Sequence, residues 1–264
     1  MTRLDQVLVQ RSLARSRTEA AKLIDAERVL LNGAVATKAS KNVTPESELE
    51  VLASEAEEYV SRAGHKLAGA LDVFTTISPE SLRCLDAGAS TGGFTDVLLR
   101  RGAKHVMAAD VGHGQLVNKI REDSRVSVFE GLNVRYMNPE DIGGEVDLVV
   151  ADLSFISLRL VIDALARATR PGGSLVLMVK PQFEVGRENI NRTGVVLSPE
   201  LRRSAIGSVV ASARDVGLQL CGLARSPLPG QDGNVEFFLW LGKPPMSNQQ
   251  AVDEAKLWEV VDYS

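Results

Sequence analysis

The chain of 264 residues has an ordinary globular composition, with 44% hydrophobic and 24% charged residues. Two cysteines and three scattered histidines exclude a disulfide framework and a metal centre of the usual ligand spacing. No apolar run reaches membrane-spanning length, and the N-terminus lacks the apolar core of a signal peptide. We therefore expect a soluble, cytoplasmic protein that uses neither a metal nor a membrane.

The formal net charge of −4 is unevenly divided along the chain. Residues 1–41 hold eight basic and four acidic residues, so the remainder is strongly acidic. A basic N-terminal segment can steer polyanions such as nucleic acids toward the protein. It can equally be the solvated face of two helices, and charge alone does not choose between these interpretations.

The first fifty residues have the patterns of a small α+β module. Apolar residues recur at helical spacing in RLDQVLVQR, and SRTE has the pattern of a capping box that opens a second helix. The stretch RVLLNGAV predicts two strands joined by an Asn-Gly turn, and LEVL predicts a further strand. We predict a separate domain over residues 1–52, close to the lower size limit for independent folding.

This module resembles the RNA-binding domain of the S-four type, which a small-subunit ribosomal protein, pseudouridine synthases and tyrosyl-tRNA synthetases share. The resemblance extends over LDQVLVQRSLARSRTEAAKLIDAERVLLNG. It implies that basic side chains of the module contact RNA phosphates, as the local charge permits. The predicted RNA-binding residues are Arg3, Arg11, Arg15, Arg17 and Lys22.

Residues 53–62 are polar and acidic and predict a linker, which leaves residues 63–264 for a second domain. There, helical and strand patterns alternate. KLAGALDVF, TGGFTDVLLRRG, GQLVNKIR and SLRLVIDALARAT predict helices, and RCLDAG and HVMAAD predict the first two strands. Such alternation predicts an α/β fold, with a mainly parallel sheet covered by helices on both faces and an antiparallel last strand. The polar stretch GRENINRTGVVLSP predicts a mobile loop over the substrate, and the C-terminal helix is expected to pack against this domain.

The stretch LDAGASTGGFTDVLL places small residues between a predicted strand and a predicted helix. Such a turn lets backbone N–H groups approach a ligand, either a dinucleotide or S-adenosylmethionine (SAM). Asp110 closes the next strand, where a carboxylate usually binds ribose hydroxyls of either ligand. An acid two residues before the first glycine favours a methyltransferase, although the small residues could serve tight packing alone. The predicted cofactor-binding residues are Asp86, Gly88, Ala89, Ser90, Gly92, Gly93, Phe94 and Asp110.

Ionisable residues follow or begin several of the predicted strands. Asp152 and Lys180 each come after an apolar strand, and Glu236 lies near the start of the last one. Lys66 lies in the helix that enters the domain. Ligands of open α/β sheets bind outside the carboxyl ends of the strands, so these residues should border the cofactor crevice. Taken singly, each could be a helix cap or a solvated surface charge.

The second domain closely resembles the TlyA family in the motifs SRAGHKL, LDAGASTGGFTD, ADVGHGQL, DLSFISL, VKPQFE and GNVEFFLW. Members of this family are ribosomal RNA 2′-O-methyltransferases historically called haemolysins, and their catalytic half is similar to FtsJ. The resemblance implies a Rossmann-like SAM-dependent methyltransferase fold, SAM as cofactor and cytidine in ribosomal RNA as the target. It also implies a catalytic tetrad, which here falls on Lys66, Asp152, Lys180 and Glu236.

The chain departs from the family pattern at three places. Residues 130–135 read EGLNVR where the family usually has ERTNVR, and His113 and Asn118 replace a frequent tyrosine and a frequent aromatic residue. These changes lie on the adenosine side of the expected pocket. Asn133 and Asp152 are also expected to contact SAM.

Ribose methylation requires a base, because the 2′-hydroxyl must lose its proton as it attacks the methyl group. Lysine can serve if burial or a nearby positive charge brings its pKa down from about 10.4. Lys180 is the candidate base, with Lys66 as the nearby charge and the two acids orienting both ammonium groups. The chain lacks the Asp/Asn-Pro-Pro loop of adenine methylation, and neither cysteine lies in the crevice motifs, as pyrimidine C5 methylation would require.

Three other functions can be set against this one. An NAD-dependent oxidoreductase would explain neither the RNA-binding module nor the two lysines. A non-enzymatic RNA-binding or ribosome-assembly factor that keeps SAM as a structural ligand would not need Lys180. A membrane-lytic protein would need a spanning segment, which the sequence does not offer. The sequence leaves open whether the large subunit alone or both ribosomal subunits are methylated, and the oligomeric state.

Overall fold

The computed structural model describes residues 2–14, 16–25, 28–44, 47–51, 59–230, 232–245 and 253–264. The chain divides into two compact units, Met1–Glu58 and Tyr59–Ser264. Residues 53–58 of the predicted linker lie outside the described residues. The remaining residues, 59–62, belong to the second unit, because Tyr59 and Val60 pack against its core.

The first unit has the predicted helices and hairpin. Leu4, Val7 and Leu8 are buried, and the backbone N–H of Glu19 donates to Ser16 Oγ at 3.2 Å, as the capping pattern predicts. The elements of the first unit are β1 (Thr2–Arg3), α1 (Leu4–Gln10), α2 (Arg17–Asp25), β2 (Val29–Leu31), β3 (Ala34–Val35), β4 (Asn42–Val43) and β5 (Leu49–Val51). Strand β1 pairs with β4, and β2 lies between β3 and β5.

The second unit alternates helices and strands as predicted. Its elements are α3 (Arg62–Val73), β6 (Arg83–Ala87), α4 (Gly93–Arg100), β7 (His105–Asp110), α5 (Asn118–Arg121), β8 (Val126–Glu130), β9 (Val146–Ala151), α6 (Ile162–Ala168), β10 (Thr169–Val179), α7 (Pro181–Glu184), α8 (Pro199–Asp215), β11 (Gln219–Arg225), β12 (Phe237–Gly242) and α9 (Glu254–Val260).

Two predicted helices are shorter in the structure. The stretch GQLVNKIR forms a helix only over Asn118–Arg121. The stretch SLRLVIDALARAT opens with a 3-10 turn over Leu158–Leu160, and its α-helix begins at Ile162. The 3-10 turn begins where the Ser157 side chain accepts a hydrogen bond from the N–H of Arg159, a local contact that competes with the helical pattern.

Seven strands form one sheet in the order β11-β12-β10-β9-β6-β7-β8. Strands β6 to β10 pair in parallel, and β12 runs antiparallel to both of its neighbours. The last strand is therefore inserted within the sheet, and its first residue, Phe237, lies opposite Val179 at the end of β10. This insertion brings the start of β12 to the edge where the parallel strands end.

The sheet separates two layers of buried side chains. Leu175, Leu177 and Val179 of β10 belong to the layer that includes α6 and α8, while Val176 and Met178 face the layer that includes α3 and α4. This alternation follows the two-residue period of a strand buried on both faces. Leu257 and Trp258 of α9 pack against the first layer, so the C-terminal helix covers the sheet unit as predicted. Within the described part of the chain, no helix is long and apolar enough to cross a membrane.

Candidate active site

The edge of the sheet at the carboxyl ends of the parallel strands collects the predicted catalytic residues. Asp152 follows β9, Lys180 follows β10, and Glu236 directly precedes β12. Strands β9 and β10 are parallel neighbours, whereas β12 is antiparallel to β10. The end of β10 and the start of β12 therefore lie at the same edge, where ligands of open α/β sheets bind.

Lys180 makes two polar contacts with the segment after β9. Its Nζ lies 2.6 Å from Asp152 Oδ1 and donates a hydrogen bond to Ser154 Oγ at 2.8 Å. The side chains of Lys180 and Asp152 are only 11% and 18% exposed. This ion pair is therefore largely shielded from water but still borders the surface of the domain.

Lys66 and Glu236 form the second and more deeply buried pair. Their Nζ and Oε2 atoms are 2.5 Å apart, and their side chains are 10% and 3% exposed. A buried ammonium or carboxylate is costly unless it is paired, so each member of this contact depends on the other. The structure thus joins the four predicted catalytic residues into two acid–lysine pairs.

Close packing between α3 and α4 positions Lys66. A Cβ atom at Gly93 would lie 3.0 Å from the backbone nitrogen of Gly64, and one at Gly64 would lie 3.1 Å from the carbonyl oxygen of Gly93. Side chains at these positions would push the two helices apart and move the helix that carries Lys66. Tight packing, the alternative considered for the small residues, is thus part of the role of Gly93.

Two neighbouring cavities lie beside the Lys180–Asp152 pair. The larger, of about 370 Å³, is lined by Asp110 and by apolar side chains that include Leu132, Leu153 and Phe155. The smaller, of about 150 Å³, is lined by Lys180 and by residues of α3 and α4. The two cavities share Gly88, Ser90, Asp152 and Ser154. The larger one has the volume expected of a small-molecule site and opens directly toward the Lys180 pair.

The glycine-rich turn supplies the wall between the cavities. Gly88 has a φ of +87°, and a Cβ there would lie 2.7 Å from the carbonyl oxygen of Asp152, so only glycine fits. Asp110 accepts backbone hydrogen bonds from Ser90 at 2.8 Å and from Gly112 at 2.7 Å. These bonds hold its carboxylate at the cavity wall, where ribose hydroxyls could donate to its remaining lone pairs. The residues present therefore fit a nucleoside cofactor such as SAM.

Ala89, Gly93 and Phe94 line the smaller cavity, whereas three other residues predicted to bind the cofactor line neither cavity. Asp86 is fully buried and accepts a hydrogen bond from Thr95 Oγ1 at 2.7 Å. Burial raises the pKa of its carboxyl group to about 7. Asp86 therefore lies beneath the turn, bonded to the first turn of α4, and a contact with SAM stays a prediction.

The other two have local structural roles. Gly92 has a φ of +96° at the start of α4, and a Cβ there would lie 2.9 Å from Leu116 Cδ1. Asn133 is exposed, and its side chain accepts a hydrogen bond from the N–H of Arg135, which caps a 3-10 turn. Its neighbours Leu132 and Val134 line the larger cavity in its place. The EGLNVR motif thus borders the larger cavity, and a contact between Asn133 and SAM stays a prediction.

In the first unit, a buried carboxylate organises two of the predicted RNA-binding arginines. Asp5 accepts hydrogen bonds from Arg3 at 3.0 and 3.2 Å and from Arg17 at 3.1 and 2.9 Å. Hydrogen bonding to Arg3 and Arg17 lowers the pKa of Asp5 to about 2. The side chains of Arg3 and Arg17 are still 44% and 58% exposed, so their outer edges face solvent.

The remaining predicted RNA-binding residues are Arg11, Arg15 and Lys22. Arg11 is exposed, and its guanidinium donates to the carbonyl oxygen of Ser47 at 2.7 Å. Arg15 and the side chain of Lys22 lie outside the described residues.

Sequence reasoning missed two polar residues near Lys180. Ser154 contacts its ammonium group, and Glu184, four residues after Lys180, is buried against the segment that follows Asp152. Both occur in the motifs DLSFISL and VKPQFE, whose ionisable strand-end residues alone were assigned roles. Across the described segments, no cluster of His, Cys, Asp and Glu side chains could hold a metal ion.

Comparison with known proteins agrees with this geometry. Residues 59–243 match the FtsJ-like methyltransferase family, and residues 2–49 match the S4 domain. The chain therefore belongs to the FtsJ-like methyltransferases, and it is a SAM-dependent enzyme with an N-terminal S4 RNA-binding domain. This confirms the methyltransferase class, the cofactor and the N-terminal module inferred from the sequence.

Within that class the chain belongs to the TlyA group. It is 52% identical over 239 residues to the 16S/23S rRNA (cytidine-2′-O)-methyltransferase TlyA of Mycobacterium tuberculosis, covering 90% of this chain and 89% of the relative. Identity to the 23S rRNA (cytidine-2′-O)-methyltransferase TlyA of Campylobacter jejuni is 33%, over 88% of this chain and 96% of the relative. A solved hemolysin structure from Streptococcus thermophilus is 40% identical, with a TM-score of 0.74, and covers 97% of this chain and 94% of that chain.

Proposed function

We propose that this protein transfers the methyl group of SAM to the ribose 2′-oxygen of cytidine in ribosomal RNA of both subunits. The observation that carries the proposal is Lys180, held by Asp152 and Ser154 where the two cavities meet. A base at that point lies between a cofactor-sized cavity and the surface from which RNA would enter. The similarity to the TlyA relatives supports the same reaction and the same target nucleoside, cytidine.

When bound, SAM supplies an electrophilic methyl group on a sulfonium. Lys180 would first release a proton to solvent and enter the step as the neutral amine. The ribose 2′-oxygen would then bond to the methyl carbon as the carbon–sulfur bond breaks, and the hydroxyl proton would pass to Lys180 Nζ. Asp152 and Ser154 then stabilise the ammonium that forms, because both have oxygen atoms in contact with that nitrogen. Holding the three reacting atoms in line supplies much of the remaining acceleration.

The second acid–lysine pair gives the site its charge balance. Each lysine has its own carboxylate, so the four residues carry no net charge when both pairs are ionised and one negative charge once Lys180 has lost its proton. In neither state does the site repel the positively charged sulfonium. We assign Lys66 and Glu236 the role of supporting this balance beside the base.

The S4 domain would hold the RNA through phosphate contacts. Arg3 and Arg17 share Asp5 and present two oriented guanidinium groups, a geometry suited to phosphate oxygens. Methylation of both subunits is proposed because the identity to the 16S/23S relative, 52%, is well above the 33% to the 23S relative. A ribosomal substrate would also place the protein in the cytoplasm.

The proposal is tested by methyl transfer from labelled SAM to unmethylated 30S and 50S subunits, followed by mass spectrometry of the nucleosides. We expect 2′-O-methylcytidine in both subunits with the native chain. Lys180→Met should lower the rate by about 10²- to 10⁴-fold, the usual contribution of a general base. Lys104→Ala, which removes an exposed lysine just before β7, is the control and should retain the native rate.

Each alternative has its own outcome in this experiment. Methylation of one subunit only would correct the proposed range of substrates. A methylated base in place of ribose would refute the reaction. Binding of SAM and RNA without methylation of either subunit would favour the non-enzymatic assembly factor.

A further inference from the structure

Glu184 is a buried carboxylate for which the proposed reaction has no use. Its side chain is 1% exposed and lies at the end of α7, one helical turn after Lys180. It accepts a hydrogen bond from Ser157 Oγ at 2.5 Å and one from the backbone N–H of Leu158 at 2.7 Å. Arg159 lies 3.6 Å away, and burial raises the pKa of Glu184 above its ordinary value. Such burial is costly, so the contact calls for an explanation.

The partners of Glu184 belong to the segment that carries the contacts of Lys180. Residues 152–158 contact residues 180–184 at three successive places. Lys180 contacts Asp152 and Ser154, the Phe155 and Phe183 rings lie 5.4 Å apart, and Glu184 binds the far end of the segment. Lys180 and Glu184 thus hold the two ends of one short segment.

This segment needs such a restraint. Phe155 is 91% exposed and has a φ of +64°, a conformation that costs free energy in a residue other than glycine. The segment contains no helix or strand between the end of β9 and the 3-10 turn at Leu158. The conformation of the segment therefore depends on contacts at its two ends. Lys180 makes the contacts at the Asp152 end, and Glu184 makes those at the Leu158 end.

We propose that Glu184 is a positioning residue that holds residues 152–158 so that Asp152 and Ser154 reach Lys180. The inference rests on the proposed function, in which Lys180 is the base. It adds a residue that touches neither the substrate nor the cofactor and acts through the segment it binds. Because Asp152, Ser154 and Phe155 also line the larger cavity, the same restraint shapes the SAM site.

Asp147 provides a matched control for a purely structural role. It lies on β9, the strand that leads to Asp152, but near the opposite end. Like the Glu184 carboxylate, the Asp147 carboxylate accepts one backbone hydrogen bond, from Arg83 at 2.8 Å, and one side-chain hydrogen bond, from Arg170. Asp147→Asn removes a charge from a similar network on the same strand without altering residues 152–158.

The experiment compares the native full-length chain with Glu184→Ala, Glu184→Gln, Ser157→Ala and Asp147→Asn. For each, kcat and KM for methylation of ribosomal subunits, the Kd for SAM by calorimetry and the Tm are measured. We expect Glu184→Ala to lower kcat by about 10- to 100-fold and to weaken SAM binding about 3-fold or more, while KM for the subunits stays within about 3-fold. Glu184→Gln should recover much of both losses, because its amide oxygen can still accept from Leu158.

Ser157→Ala removes one hydrogen bond to Glu184 but leaves the bond from the backbone N–H of Leu158, so its losses in kcat and SAM affinity should be intermediate. This variant also tests the proposal if Glu184→Ala does not fold. The proposal is overturned if the Glu184 and Ser157 variants, corrected for folded fraction, match Asp147→Asn in kcat and in SAM affinity. Failure of the proposed function would look different, since the native chain itself would not methylate ribosomal RNA. The SAM affinities would still test the positioning role in that case.

Discussion

Asp5 in the first unit and Asp86 in the second show how different surroundings act on the same side chain. Both are buried, with exposures of 4% and 0%. Hydrogen bonds from Arg3 and Arg17 lower the pKa of Asp5 to about 2, whereas burial raises that of Asp86, whose hydrogen-bond donor is Thr95, to about 7. The available partner, more than burial itself, decides whether a buried carboxyl group remains ionised.

The acid–lysine pairs of the candidate active site lie between these extremes. Among the residues that the structure describes, Glu236 has one cation, Lys66, where Asp5 has two and Asp86 has none. Within the first unit, residues 1–41 carry eight basic and four acidic side chains, an excess of positive charge suited to a polyanion. The second unit balances its charges in pairs, suited to a reaction in which a positive charge is neutralised.

The largest expected effect follows from breaking the most buried pair. Glu236→Gln leaves Lys66 without its carboxylate at a site where the lysine side chain is 10% exposed. We expect the free energy of unfolding to fall by about 3–5 kcal/mol, the usual cost of leaving one charge of a buried pair without its partner. Methyl transfer should fall by about 100-fold or more. Urea denaturation and the rate with ribosomal subunits measure the two effects.

A double variant separates stability from catalysis at this pair. Lys66→Met with Glu236→Leu removes both charges and should recover most of the lost stability, since apolar replacements of buried pairs are often neutral. The methylation rate should remain as low as in the single variant. Recovery of the rate together with stability would show that the pair serves only the fold.

Asp86→Asn tests the carboxyl group that lacks a cation among its described neighbours. The pKa of Asp86 rises from 3.8 in the unfolded chain to about 7 in the fold, so the unfolded state loses the proton first as pH increases. The unfolding free energy of the native protein should therefore decrease between pH 4 and pH 7, by at most about 4 kcal/mol from this group, and level off above. The asparagine of the variant cannot ionise and should remove that decrease. Equal pH dependence in both proteins, measured without SAM, would contradict the assigned pKa.

Asp5→Asn gives the smallest expected effect and tests whether geometry or charge dominates RNA binding. The change makes the first unit more positive, so charge alone predicts tighter binding. Loss of the shared carboxylate frees Arg3 and Arg17, however, and we expect the Kd for a ribosomal RNA fragment to rise about 3- to 10-fold. Glu50→Gln makes the same charge change at an exposed residue of β5 and should tighten binding slightly. If both variants tighten binding equally, the arrangement of the arginines is unimportant.

Local patterns identified most of the secondary structure and the position of the site. The glycine-rich turn, the acid that ends β7 and the charged residues at strand ends were all visible in the sequence, because each depends on residue type and on position relative to one strand. Asp86, Gly92 and Asn133 line neither cavity, and their roles as cofactor-binding residues stay predictions. Their motifs were correctly placed, but whether a side chain faces a cavity or the interior depends on neighbours distant in sequence.

Residue patterns along the chain were sufficient to predict the S4 module, the alternating α/β domain and the methyltransferase class, and they supplied the candidate catalytic residues. Which acid pairs with which lysine became visible in the folded chain alone. Lys66 and Glu236 are 170 residues apart, and they meet because β12 enters the sheet antiparallel beside β10. Burial by distant elements likewise decided that Asp86 has a raised pKa and that Glu184 is bound to the segment after Asp152. These outcomes depend on long-range packing, which no local pattern of residues records.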